Sequence, residues 1–107
     1  MSGTNPRQSL RVNMKRLRAQ KGLSQTKLAD QMQISTSHVA EIELGNRFPS
    51  AEVLFTMADI LETTPALLLM DPEESVLFQQ FKDKHSMYHE VASELLAEVK
   101  ALINKGR

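Results

Sequence analysis

The chain has 107 residues, 41% apolar and 24% charged, enough for one ordinary domain or a small domain with an appendage. It contains no cysteine, which removes disulfides and thiolate metal sites, and only four glycines and four prolines, which argues against the many turns of an all-β fold. No apolar run approaches the roughly 18 residues that a membrane span needs, and Met1 to Gln8 lack the apolar stretch of a secretory signal, so a cytoplasmic location is expected. The formal net charge of zero hides a split. Residues 1–50 carry eight Lys/Arg against three acids, +5, and residues 51–107 carry five against ten, −5. A basic half suits a polyanion, although ordinary solvated helix faces produce the same imbalance.

Start and stop signals mark six helices, so the fold class is all-α. The first runs from about Ser9 to Gln20, with Leu10, Met14 and Leu17 on one face and Gly22 just past its end. Ser24 caps a second, Gln25 to Met32, which buries Leu28, Ala29 and Met32. Ser35 caps a third, Thr36 to Leu44, which buries Val39 and Ile42 and stops at Gly45. Proline at 49 biases Phe48 out of the helical region, so Arg47-Phe48-Pro49 is a loop. Ser50 opens a fourth helix to about Leu61, burying Leu54, Met57, Ala58 and Leu61, and Thr64-Pro65 opens a short fifth through Leu69. This pattern predicts an arm at residues 1–8, a five-helix domain at 9–70 and a separate segment at 71–107.

Asp71-Pro72-Glu73-Glu74 starts a long helix to about Asn104, with acids near the positive end of its dipole. Its apolar residues repeat in sevens. Phe78, His85, Ala92 and Val99 form one row, and Phe81, Tyr88, Leu95 and Leu102 form a second, offset by three. Val91, Leu96 and Ile103 widen the stripe beyond a strict two-position seam, which favours a bundle over a bare two-stranded coil. The stripe of Phe78, Phe81, Tyr88, Ala92, Leu95, Val99 and Leu102 exceeds what one small domain must cover, so it is expected to pair with a second copy. The alternative is an intramolecular sixth helix.

Residues 24–44 carry the functional signal. Two short helices joined through Gln33-Ile34-Ser35 set the later one across the earlier, and that later helix begins with Thr36, Ser37 and His38. Short hydrogen-bonding side chains on an outward first turn can enter the major groove, about 12 Å wide, and reach base edges. Ser24, Gln25 and the free amides of the second helix's first turn sit where a phosphate would dock.

Leu17 to Gln25, Leu28-Ala29, Ile34-Ser35, Ile42 to Arg47, Pro49-Ser50 and the apolar run Leu54 to Leu69 form an ordered set. In this set the chain resembles the Cro and phage-repressor type of helix-turn-helix regulators over about residues 10–70. The resemblance implies a five-helix lambda-repressor-like domain that binds double-stranded DNA. It implies that Gln25 touches a phosphate and braces the recognition helix, that Thr36, Ser37 and Glu41 read bases, and that Asn46 and Arg47 grip the backbone. It also implies a structural salt bridge between Arg18 and Glu43.

Three departures stand out. Gln33 replaces the family's usual turn glycine, at about 1 kcal/mol if positive φ is needed. Glu41 is an acid on the DNA-facing helix, where it is repelled by phosphate unless it accepts from a cytosine amino group. Leu44 stands where a phosphate-contacting residue is frequent, which shifts that load to Lys15, Lys27 and Arg47.

Other chemistries find little support. His85 and His89, with Glu90 adjacent, supply half a zinc site, so no metal or cofactor is expected. Serines and threonines fall at cap positions, which accounts for them without a nucleophile, and no glycine-rich phosphate loop is present, so no enzymatic activity is expected. About 35 residues beyond the core domain are too few to enclose a metabolite pocket. The expectation is a dimeric operator-binding regulator, a repressor, reading a pseudo-palindromic site. Two alternatives use the same fold: an antitoxin or adaptor whose last helix binds a protein partner, and a restriction-modification controller.

Overall fold

A computed structural model describes residues 5–105, with the side chains of 85–90 excepted. The order is α1 (Pro6–Gln20), α2 (Gln25–Met32), α3 (Thr36–Leu44), α4 (Ala51–Ile60), α5 (Pro65–Leu69) and α6 (Pro72–Lys105), with no strand among the described residues. The chain divides into two compact units, Met1–Val76 and Leu77–Arg107. The first holds α1–α5 and the opening turn of α6, and the rest of α6 belongs to the second.

Each helix of the first unit begins where a short polar side chain replaces a missing backbone partner. The Ser24, Ser35, Ser50 and Thr64 hydroxyls accept from the amides of Lys27, His38, Val53 and Leu67. Asp71 Oδ2 accepts from the amides of Glu73 and Glu74. At α1 the cap is Asn5, whose Oδ1 accepts from the Gln8 amide, and Pro6 takes the first helical position. This helix starts earlier than the apolar period implies: residues 6–8 are its first turn and not part of an arm.

The core is one cluster drawn from α1 (Leu10, Met14, Leu17), α2 (Leu28, Ala29, Met32), α3 (Val39, Ile42), α4 (Met57, Ala58), Leu61 and Leu68. Leu54 is only partly buried at its edge, one turn before the fully buried Met57 and Ala58. α1 packs on α3 and α5, while α2 packs on α3 and α4. α3 is thus held from behind by two helices.

One buried polar group organises the far side of the domain. Asn13 lies on the core face of α1, with 0% of it exposed, and its Nδ2 donates to the carbonyls of Leu67, Leu68 and Met70 at 3.2, 2.9 and 2.8 Å. These are the orphaned acceptors at the end of α5, a helix too short to satisfy them itself. Arg16 Nη1 donates to Asn13 Oδ1 and so fixes which way the amide points. Ser75, fully buried in the first turn of α6, adds a hydroxyl donation to Leu67 O.

The turn between α2 and α3 is made at Gln33, with φ 60° and ψ 40°. Its amide and that of Ile34 close on the carbonyls of Asp30 and Ala29, so the left-handed residue is what lets α2 stop and α3 cross it. A Cβ there costs about 1 kcal/mol. Substituting Gln33→Gly is therefore expected to raise unfolding stability by about 0.5–1 kcal/mol in a urea titration. A loss of stability would show that the glutamine side chain contributes more than its backbone strain removes.

Candidate nucleic-acid interface

α3 presents two different surfaces. Val39, Ile42 and Glu43 are buried, while Thr36, Ser37 and Glu41 are exposed, and His38 is half-buried between the two. Ser35 sets the end of the helix, because its Oγ accepts the His38 amide at 3.0 Å. The first turn therefore carries two short hydroxyl side chains and an N-terminal dipole into solvent. A helix with that profile can lie in a major groove and hydrogen-bond to base edges.

What orients α3 is a polar junction beneath it. Arg18 of α1 donates to both Glu43 oxygens, Nε to Oε2 at 2.6 Å and Nη2 to Oε1 at 3.0 Å, in the fork geometry that suits a guanidinium and a carboxylate. Gln25 of α2 donates its Nε2 to the same Oε1 at 3.0 Å. Arg18 Nη1 also donates to Leu23 O in the α1–α2 turn. The Arg18 and Glu43 side chains are only 15% and 5% exposed, so their attraction is weakly screened. The helices α1, α2 and α3 meet at one carboxylate.

Gln25 is half-buried, and its amide nitrogen is committed to Glu43, which makes it a brace between α2 and α3. Its backbone amide and that of Thr26 lie at the open end of α2, next to the exposed Ser24 and Lys27. Asn46 and Arg47 are exposed in the loop after α3. Arg47 Nη1 lies 3.4 Å from Glu41 Oε2, with side chains 60% and 48% exposed, so the loop cation reaches back toward α3. At that exposure the pair contributes little to stability. Lys15 is exposed on α1 and lines an open hollow with Gln8, Arg11, Val12 and Glu43.

Arg11 carries a role that its sequence position did not signal. Its Nε donates to Glu43 O at 3.1 Å, and its side chain packs flat on Gly45. Gly45 has φ 84°, and a Cβ there would stand 2.7 Å from Arg11 Cδ. Glycine at 45 thus serves both the left-handed stop of α3 and the close pass of the Arg11 side chain. The signal for Asn13 was present: it is a polar residue on the Leu10, Met14 and Leu17 face. Phe78, Phe81, Leu95, Val99 and Leu102 of α6 are all at least half exposed, and Ala92 is exposed. The side chains of His85, Tyr88, His89 and Glu90 lie outside the described residues. Among the described residues there is no cluster of metal-ligating groups and no helix long and apolar enough to cross a membrane.

Removing one partner of the buried pair leaves the other charged and desolvated. Glu43→Ala and Arg18→Ala are each expected to cost about 3 kcal/mol of unfolding free energy, with the double variant costing clearly less than their sum. Additive losses in a double-mutant cycle would show that the two side chains act independently.

A helix-turn-helix family model (HTH_3) matches residues 14–68, over half of the chain. A comparison with curated proteins finds no match. Among solved structures, the chain is similar to a hypothetical transcription factor, NHTF, from Neisseria. The TM-score is 0.64 at 28% identity, covering 69% of this chain and 85% of that one. It is also similar to the clp gene regulator ClgR from Corynebacterium glutamicum in two structures. One has a TM-score of 0.58 at 26% identity, covering 67% of this chain and 94% of that one. The other, at 24% identity, has a TM-score of 0.60, covers 83% of this chain and 95% of that one, and speaks for the fold alone. With α3 exposed on its first turn and locked from behind by α1 and α2, and with the match spanning that whole arrangement, the chain belongs to the helix-turn-helix family of DNA-binding transcriptional regulators of the Cro and phage-repressor type.

Proposed function

We propose that this regulator is a cytoplasmic, dimeric repressor that reads a pseudo-palindromic operator with α3, and that it acts by binding alone, without catalysis. The observation that carries the reading is the exposed Thr36-Ser37 turn, capped by Ser35 and aimed by the Glu43 junction. Thr36 and Ser37 hydrogen-bond to base edges, and His38 lies at the groove wall. Glu41 accepts from a cytosine amino group, a base-edge donor that offsets its repulsion from phosphate.

The backbone contacts come from both sides of α3. Ser24, the amides of Gln25 and Thr26, and Lys27 take one phosphate at the start of α2, while Asn46 and Arg47 take another from the loop. Lys15 adds positive potential from α1. One such domain covers half a site, so two copies are needed for a pair of half-sites about 34 Å, or one duplex turn, apart. The apolar stripe on α6 supplies the pairing surface. Its position in the acidic half of the chain suits a segment that works away from DNA.

Binding to duplex DNA is expected to fall steeply with salt, log K declining linearly with log salt concentration as counterions are released. Arg47→Ala is expected to lower that slope by about 1 per subunit and to weaken all sequences alike. Fluorescence anisotropy across a salt series reads both. A variant with wild-type slope would remove Arg47 from the backbone contacts, and no duplex binding at low salt would remove the reading itself.

A further inference from the structure

We propose that α6 pairs with α6 of a second copy in antiparallel orientation, with the two-fold axis passing level with residue 90. This deepens the dimeric reading above and rests on it.

The first observation is an apolar face in water. Phe78, Val91, Leu95, Leu96, Val99, Leu102 and Ile103 are each at least half exposed. Such a face, repeated in sevens along one helix, is covered by another helix with the same spacing.

The second observation is the order of charges along α6, which identifies that helix and its direction. Acids at 71–74 (Asp71, Glu73, Glu74) are followed by Lys82 and Lys84, then by Glu90, Glu94 and Glu98, then by Lys100 and Lys105. The signs alternate in four blocks. Laid parallel and in register on itself, each block meets its own sign; reversed, Lys82 and Lys84 come level with Glu98 and Lys105 comes beside Glu74, while Glu90 and Glu94 fall on the outer face. Asp83 interrupts the second block, but it lies on the outer face, where it accepts from Gln79 Nε2 at 3.1 Å.

The heptad positions give the same answer. If the Phe78 row occupies a and the Phe81 row d, then Lys84 and Glu98 both fall at g. In an antiparallel pair g faces g, so Lys84 of one copy stands opposite Glu98 of the other, twice by symmetry. That register also brings Phe78 level with Leu102 and Phe81 level with Val99, large side chains against smaller ones in mixed layers. Lys82, at e, lays its aliphatic stem over Leu96. A parallel pair sets g against the following e, which places Glu98 against Ile103 and Leu77 against Lys82. Orientation is then decided by charge while the apolar stripe supplies the affinity.

The chain has no cysteine, so a single Gln80→Cys on the exposed outer face of α6 can carry a spin label in the 107-residue chain. At 1.5 Å rise per residue the antiparallel register separates the two labels by about 30–35 Å, whereas a parallel pair keeps them within roughly 20 Å. A dipolar distance near the larger value supports the proposal. A dimer with the shorter distance overturns the orientation and leaves the dimeric reading standing. A monomeric mass by sedimentation at micromolar concentration overturns both. As a second measurement, Lys84→Glu and Glu98→Lys are each expected to weaken dimerisation about tenfold, and the double variant to recover to within about threefold of wild type. Failure to recover would count against the Lys84–Glu98 register.

Discussion

The Glu43 carboxylate is the point on which the interface depends. It accepts from Arg18 on α1 and from Gln25 on α2, while the next carbonyl outward, its own, takes Arg11. These donors fix the roll of α3 about its axis as well as its position, because the contacts reach it from two directions. Apolar packing by Val39 and Ile42 gives the helix a buried side, but such packing is non-directional and tolerates rotation by some degrees. A bidentate guanidinium–carboxylate pair does not. With the roll fixed, Thr36 and Ser37 point outward together.

The same division between apolar bulk and polar aim recurs on the opposite side of the domain. Asn13 reaches from α1 to the carbonyl end of α5, and Ser75 reaches there from the first turn of α6. Both are polar side chains with essentially no exposure, each satisfied by backbone acceptors that would otherwise be buried without a donor. A domain of this size has few apolar layers with which to specify a single arrangement of five short helices. Two polar junctions, one under α3 and one under α5, add the directional constraint that the core lacks.

Much of this was legible in the sequence where the physics is local. A serine or threonine followed by an apolar period marks a capped helix, and the starts of α2 through α5 follow from Ser24, Ser35, Ser50 and Thr64. The start of α1 carried its own local signal, Asn5 before Pro6, but the apolar period opens only at Leu10 and draws attention three residues too late. The left-handed turn at Gln33 could be anticipated only through the family resemblance, since glutamine itself gives no hint of positive φ; Glu62, at φ 56°, has neither glycine nor resemblance to announce it. The exposed face of α3 was readable from its small polar residues. The Arg11–Gly45 contact and the Asn13–α5 bonds join residues 30 or more positions apart, and no local pattern encodes such a meeting. Gln25 shows the limit from the other side: its place at the first position of α2 is a local reading, whereas its brace against α3 was legible only through the resemblance, because its bond to Glu43 is a tertiary fact.

On this account base recognition resides in α3, in Thr36 and Ser37 of its first turn and in Glu41 one turn further on. In-vitro selection from a random duplex pool, run in parallel with the wild-type chain and with Ser37→Ala, tests this directly. The wild type should enrich two inverted half-sites with centres about one helical turn apart. The variant should relax preference at one position in each half-site and leave the spacing unchanged. Enrichment of no sequence by the wild type, or an identical logo from both proteins, would contradict the assignment of base reading to that turn.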